Sequence, residues 1–202
     1  MSGSFDTSVI RTEEIRSIYQ TYEQRSVSQR RFVVQQPGHT YELSVTTKPM
    51  QRSEWQKLQA FLDSQKGRYS SFTYVPVSKS SPLGTLAGST HSVTVEGAHS
   101  ASATSVALVG LPASSIVLLA GDFLKFANHS KVYSLESTSI TSSSSGYALA
   151  TIQPALVSAL SNGEAVTYQN VPMTVALTAD DWKLPVEVSG LAEISLTMRE
   201  AI

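Results

Sequence analysis

The sequence predicts a mainly β (α+β) protein: a sheet with one flanking helix, interrupted by an inserted small all-β unit, barrel or sandwich. Three observations carry that expectation. Residues 53–77 read as helix, tight turn and strand in succession. From about residue 80 to 171 charge becomes scarce, while short apolar runs recur between turn signals. Charge and period-two alternation then return together in residues 172–202. The expected organisation is therefore 1–79 as the first part of the main domain, 80–171 as the inserted all-β unit and 172–202 as the closing strands. The two outer parts amount to about 110 residues, an ordinary domain size.

Residues 1–14 are polar, with Phe5, Val9 and Ile10 as isolated apolar positions. They read as an arm ordered only against a neighbour or the main sheet. Residues 15–34 mix aromatic and β-branched side chains with Arg and Gln. Helix competes for residues 13–25, but Ile18, Tyr19 and Tyr22 form no wide helical stripe. One or two long strands are expected, with one side facing solvent or another subunit. Gln36, Pro37, Gly38 and His39 are a turn signal, after which Tyr41, Leu43 and Val45 alternate with Glu42, Ser44 and Thr46. Residues 30–47 therefore read as a hairpin.

Ser53 and Gln56 have capping-box spacing, in which two side chains satisfy amides that the first helical turn leaves unpaired. Trp55, Leu58, Phe61 and Leu62 then form one stripe, with Lys57, Gln59, Asp63 and Gln65 on other faces. Gly67 is the expected stop, and residues 69–75 the following strand, with Phe72 and Tyr74 on one face. Beyond Pro76, Ser, Gly, Thr and Pro dominate, which places a boundary near residue 79. Short strands are expected at 93–95, 105–109, 116–119, 123–126, 131–135, 147–152 and 165–168. A helical turn is expected within 153–161, with Leu156, Val157 and Leu160, and a tight turn at Asn162-Gly163. Residues 171–178 resume alternation, and in the last strand Ile194, Leu196 and Met198 oppose Glu193, Ser195, Thr197 and Arg199.

At 202 residues and 41% hydrophobic content the chain can bury a substantial core. The net charge of −1 provides no electrostatic footprint for gripping nucleic acid. With no cysteine there is no disulfide, zinc-thiolate site or cysteine nucleophile, and no apolar run reaches the length of a membrane helix or signal peptide. A protein soluble at synthesis is expected. His39, His91, His99 and His129 lack metalloprotease spacing. His91 and His99, bracketing Glu96, are the one pair that a hairpin would bring together as metal ligands; ordinary loop histidines are the alternative. No nucleophile elbow is present, and the loop from Gly84 to Gly88 lacks a phosphate-binding lysine. Asp180 and Asp181, adjacent in sequence, suit a turn or cap better than paired acid and base. Asn128-His129-Ser130 reads as a polar turn, and 142–145 as a loop tip. Arg25, Arg30 and Arg31 form the only basic cluster of note, fitted to pair with a neighbouring subunit's carboxylates or to touch phosphate. No catalytic, cofactor-binding or metal-ligating residues are assigned.

Two stretches carry a family resemblance. The capped helix ending in Gly67-Arg68-Tyr69, followed by Phe72-Thr73 and a strand, resembles the helix-to-strand unit of tail-tube-related phage proteins, especially distal tail and minor tail proteins. The pattern L-x-A-G-D-F-L-K-F over 118–126, then Lys131-Val132-Tyr133, Gly146 and Pro154, resembles the small β-barrel inserted in several phage tail and tail-tip proteins. In such a barrel Ala120-Gly121-Asp122 is a turn and Tyr133 packs inside.

The resemblance implies a tail-tube-like β-sandwich with one flanking helix and an inserted small all-β barrel, and a structural virion protein, made in the host cytoplasm, that assembles into a hexameric ring between the tail tube protein and the tail-tip or baseplate hub. DNA passes through the lumen of such a ring without specific binding, and neither cofactor nor membrane insertion is implied. A tail-tube or tail-completion subunit shares the same fold, and fold does not fix position. The reading from another class is a cell-surface glycan-binding module built on the insertion, whose aromatics are Phe123, Phe126, Tyr133, Tyr147 and Tyr168. An enzyme such as a peptidoglycan hydrolase has no supporting constellation in the sequence.

Overall fold

The computed structural model describes residues 3–202 and is mainly β with one helix, the fold class that the sequence predicts. The chain divides into two compact units. One comprises Ser8–Ser71 and Val175–Glu200. The other comprises Phe72–Thr174 together with the segments up to Thr7 and Ala201–Ile202.

The first unit is built on two long strands, β1 (Ile10–Arg25) and β2 (Arg31–Thr47), paired antiparallel through their whole length. Their β-branched and aromatic content selects strand over helix in residues 13–25, and the connection lies at residues 26–30. The hairpin expected over 30–47 is a single strand instead. Tyr19 pairs with His39 and Thr21 with Gln35, so residues 36–38 are extra residues on β2 against Gln20 alone. Proline, which has no amide to donate, is accommodated by such a bulge, and the turn signal becomes an irregularity inside a long strand.

The helix α1 (Arg52–Gln65) starts one residue before the expected cap. Gln51 takes the cap position, and Glu54 Oε2 accepts its amide at 3.1 Å. The i, i+3 logic holds with a different pair, because a carboxylate in the first turn is favoured by the helix dipole where Gln56 is neutral. Leu58 and Leu62 are buried, while Trp55 and Phe61 are only half-buried. The helix ends at Lys66, itself left-handed at φ 55°, followed by Gly67 at φ 63°.

The remaining strands of this sheet are β3 (Ser71–Tyr74), shorter than expected, β12 (Met173–Leu177) and β13 (Ser195–Glu200), and the strand order is β1-β2-β13-β12-β3. Ile194, Leu196 and Met198 are buried, following the alternation read from sequence.

In the second unit, Phe72 and Tyr74 are fully buried, and Phe5 packs on them with ring centroids 6.3 and 5.7 Å away. Residues 1 and 2 of the expected arm lie outside the described residues. From Gly3 the arm is a strand partner of its own chain: Phe5 donates to the Thr73 carbonyl at 2.9 Å, and Thr73 donates to Gly3 at 3.0 Å.

The insertion contains β4 (Thr94–Val95), β5 (Ser105–Val109), β6 (Ile116–Leu119), β7 (Phe123–Phe126), β8 (Tyr133–Leu135), β9 (Ser139–Thr141), β10 (Ala148–Gln153) and β11 (Val166–Thr167). Six of these make a sheet in the order β11-β7-β8-β10-β5-β4. Val95 donates to Glu164 at 2.9 Å and Val166 to Val93 at 3.0 Å, which joins the two edges into a nearly closed barrel. β6 and β9 form a separate ribbon. The barrel holds one apolar cluster that includes Leu108, Leu124, Phe126, Tyr133 and Ile152. Asp122, buried in the expected 120–122 turn, accepts the amides of Leu83 and Leu119. The helical turn expected in 153–161 is absent. Leu156 and Leu160 are buried there because their backbones pair with Ala103, Ser102 and His99, an extended solution to the same apolar spacing.

Candidate assembly surface

The part of the chain least explained by its own folding is the outer half of the β1–β2 ribbon. β13 covers β2 only from Glu42 to Thr46, so residues 31–41 have β1 on one side and, among the described residues, no strand on the other. β1 is itself the edge of the sheet for all its 16 residues. The root of the ribbon is anchored. Leu43 and Tyr41 are buried, the Tyr41 amide donates to Glu200 Oε2 at 3.2 Å, and the His39 ring packs between Tyr19 and Tyr41 with centroids 4.6 and 4.5 Å away. Glu42 accepts both Nε and Nη2 of Arg199, at 3.2 and 2.6 Å.

Beyond that root the ribbon has two unlike faces. Tyr22 pairs with Val34 and Gln24 with Phe32, which puts three apolar side chains on one face. They are 61%, 61% and 54% exposed for Tyr22, Val34 and Phe32. The other face carries Glu23, which accepts from Arg25 Nε at 3.3 Å and from Arg31 Nη2 at 3.1 Å. The connection is tied by Ser26 to Arg30 and Gln29 to Ser26 backbone hydrogen bonds, and it presents a fully exposed Val27 beside Arg30. A long strand with open backbone groups and an apolar face is a template for pairing with another chain, which stable monomers avoid.

The remaining residues singled out from the sequence have structural roles. Asp180 Oδ1 accepts from the amide and Nε of Arg68, and Oδ2 from its Nη2 at 2.6 Å. The Arg68 guanidinium and amide hold the Asp180 carboxyl at about 2, well below its ordinary 3.8. A Cβ on Gly67 would stand 2.7 Å from Asp180 Cα, so the Gly-Arg pair of the motif makes room for this carboxylate and then clamps it. Asp181 does not share that clamp. It lines, with Trp182, Thr178, Ser195, Leu196 and Thr197, a surface pocket of about 180 Å³ that sequence reading missed.

Gly84 serves close packing, since a Cβ there would overlap the Val117 carbonyl oxygen. His99 Nε2 accepts the Ala107 amide at 3.2 Å, and the His91 carbonyl accepts the Tyr168 hydroxyl. Among the described residues no three His, Asp or Glu side chains are grouped to hold a metal ion. His129 is buried, with Nδ1 accepting the Tyr133 hydroxyl at 2.6 Å, and that hydroxyl accepts the Val157 amide at 3.1 Å. Burial pushes the imidazole below its ordinary 6.5, against the opposing pull of the Ala159 carbonyl and Glu164. Of the insertion's five aromatics, Phe123, Phe126, Tyr133 and Tyr168 are buried, leaving Tyr147 exposed.

No protein-family model matches the chain, and no curated protein matches it significantly.

Proposed function

We propose that this chain is a ring-forming structural subunit of a phage tail, a distal tail protein that assembles as a hexamer between the tail tube and the tail tip or baseplate. The observation that carries the reading is the β1–β2 ribbon, whose open edge and apolar outer face fit a second chain better than water. Assembly through such an edge hides unpaired backbone groups in a heterologous contact, the kind that closes into a ring. The near-neutral net charge suits a lumen that lets DNA pass without holding it. In this reading the barrel meets neighbouring tail components, and its buried aromatics leave it little surface for stacking sugars. The chain acts as scaffold rather than catalyst.

The test is electron microscopy of the purified chain over a concentration series, with particles classified by symmetry. Closed rings with a lumen of about 20 Å or more, wide enough for duplex DNA, are the expected result. A chain that stays monomeric at every concentration and fails to join rings in the presence of tail tube protein overturns the proposal.

A further inference from the structure

Among the described residues, two exposed groups of opposite charge in the sheet-bearing unit are left out of the ion pairs formed beside them. Arg25 and Arg31 are both engaged by Glu23, but the Arg30 guanidinium at the tip of the ribbon is not paired. Asp180 is engaged by Arg68 and Glu193 by Arg11, but the exposed carboxylate of Asp181 is not paired. Asp181 stands at the Trp182 pocket, whose lining also includes Thr178, Ser195 and Thr197. An indole, a carboxylate and hydroxyl-bearing residues in one pocket are the chemistry that receives an arginine, whose planar guanidinium stacks on aromatic rings while its fork donates to a carboxylate. The segment from Asp180 to Glu193 also holds four carboxylates against the single lysine Lys183, opposite in sign to the ribbon tip.

We infer that Arg30 of one copy inserts into the Asp181–Trp182 pocket of a second copy of this chain. The ribbon has the reach. The uncovered stretch 31–41 lies against residues 17–25 of β1, so at about 3.3 Å per residue it extends roughly 30 Å, close to the width of a 100-residue domain. Its tip is preset, because the Arg30 amide donates to Ser26 Oγ at 3.1 Å and the tip backbone is hydrogen-bonded within itself. A tip on one subunit and a pocket on the next are different surfaces, so the contact is head-to-tail and propagates around a ring. The inference rests on the ring reading and names the contact that closes it.

The chain has no cysteine, so engineered thiols are unique. Val27→Cys and Lys183→Cys chains, which keep Arg30 and Asp181 and place exposed thiols beside them, one carrying a size tag, are mixed and treated with a flexible bis-maleimide. Mixed cross-linked pairs in several-fold excess over self-pairs are the expected result, and statistical pairing overturns the contact. In a second measurement Arg30→Asp and Asp181→Arg each weaken association by about 30-fold or more, and the combined swap restores it. Additive loss without rescue also overturns the contact. Sedimentation of the unmodified chain separates the two ideas. Rings without preferential cross-linking sink this contact and leave the ring reading standing, whereas preferential cross-linking without closed rings does the reverse.

Discussion

Replacing Tyr22, Phe32 and Val34 together with threonine should separate assembly from folding. Threonine keeps β-propensity, and the three side chains share one face of the ribbon, so the strand pairing itself is left intact. Fully burying a side chain of this class contributes about 1.5–3 kcal/mol relative to leaving it exposed. Each of the three is between 54% and 61% exposed, so roughly half of that is still available to a partner. The face as a whole then offers about 2.5–5 kcal/mol per contact, which is a loss of roughly 60-fold to 4000-fold in association when it is removed. The protomer should barely notice, since exposed substitutions change stability by about 0.5 kcal/mol or less each. Sedimentation velocity over a concentration series reads the first quantity, and thermal unfolding of the dilute chain reads the second. Association unchanged by the triple substitution would refute the argument. So would a loss of protomer stability on the scale of a core truncation, because it would mean that the face is already packed within one chain.

Gly67→Ala should destabilise the sheet-bearing unit by about 2 kcal/mol or more, since it sets a left-handed alanine against Asp180 Cα at 2.7 Å. Calorimetry should show this as a fall of roughly 8 °C or more in Tm for a domain of this size. Tyr133→Phe keeps the ring but strips the hydroxyl shared by His129 Nδ1 and the Val157 amide. It should cost about 1–3 kcal/mol, read as a lower denaturant midpoint. Because the folded barrel favours neutral His129, its stability should be full above the ordinary histidine value of 6.5 and fall as the pH drops below it. His129→Gln should flatten that slope in midpoint measurements between pH 7.5 and 5. The Asp180 clamp depends on pH in the same direction but over a more acid range, with its contribution complete above 3.8 and lost as the pH falls towards about 2, and Arg68→Ala should remove that acid-limb loss in thermal scans.

What was legible in the sequence was whatever local pattern alone decides. The alternation of Ile194, Leu196 and Met198, the pairing of Phe72 with Tyr74 on one face, and the strands at 105–109, 116–119 and 123–126 all follow from side-chain period. Features set by distant partners were misread. Residues 36–39 carry every local mark of a turn, yet 16 residues of β1 hold them in a strand. The spacing of Leu156 and Leu160 suits a helical turn, but His99 and Ala103 offer them backbone partners first. β9 went unseen because only Ile140 of its three residues is apolar. The basic cluster at Arg25, Arg30 and Arg31 was visible as composition, while the pocket beside Trp182 needs residues from two stretches and has no signature in either.

The place where the barrel enters the chain bears on the stability of the sheet. The strands by which the chain leaves the sheet and comes back, β3 and β12, are neighbours, about 4.8 Å apart. Everything between Tyr74 and Met173 is thus, to the sheet, a loop, and the free energy of closing a loop grows only slowly with its length. Residues added or lost within that stretch therefore change the closure cost borne by the sheet only slightly.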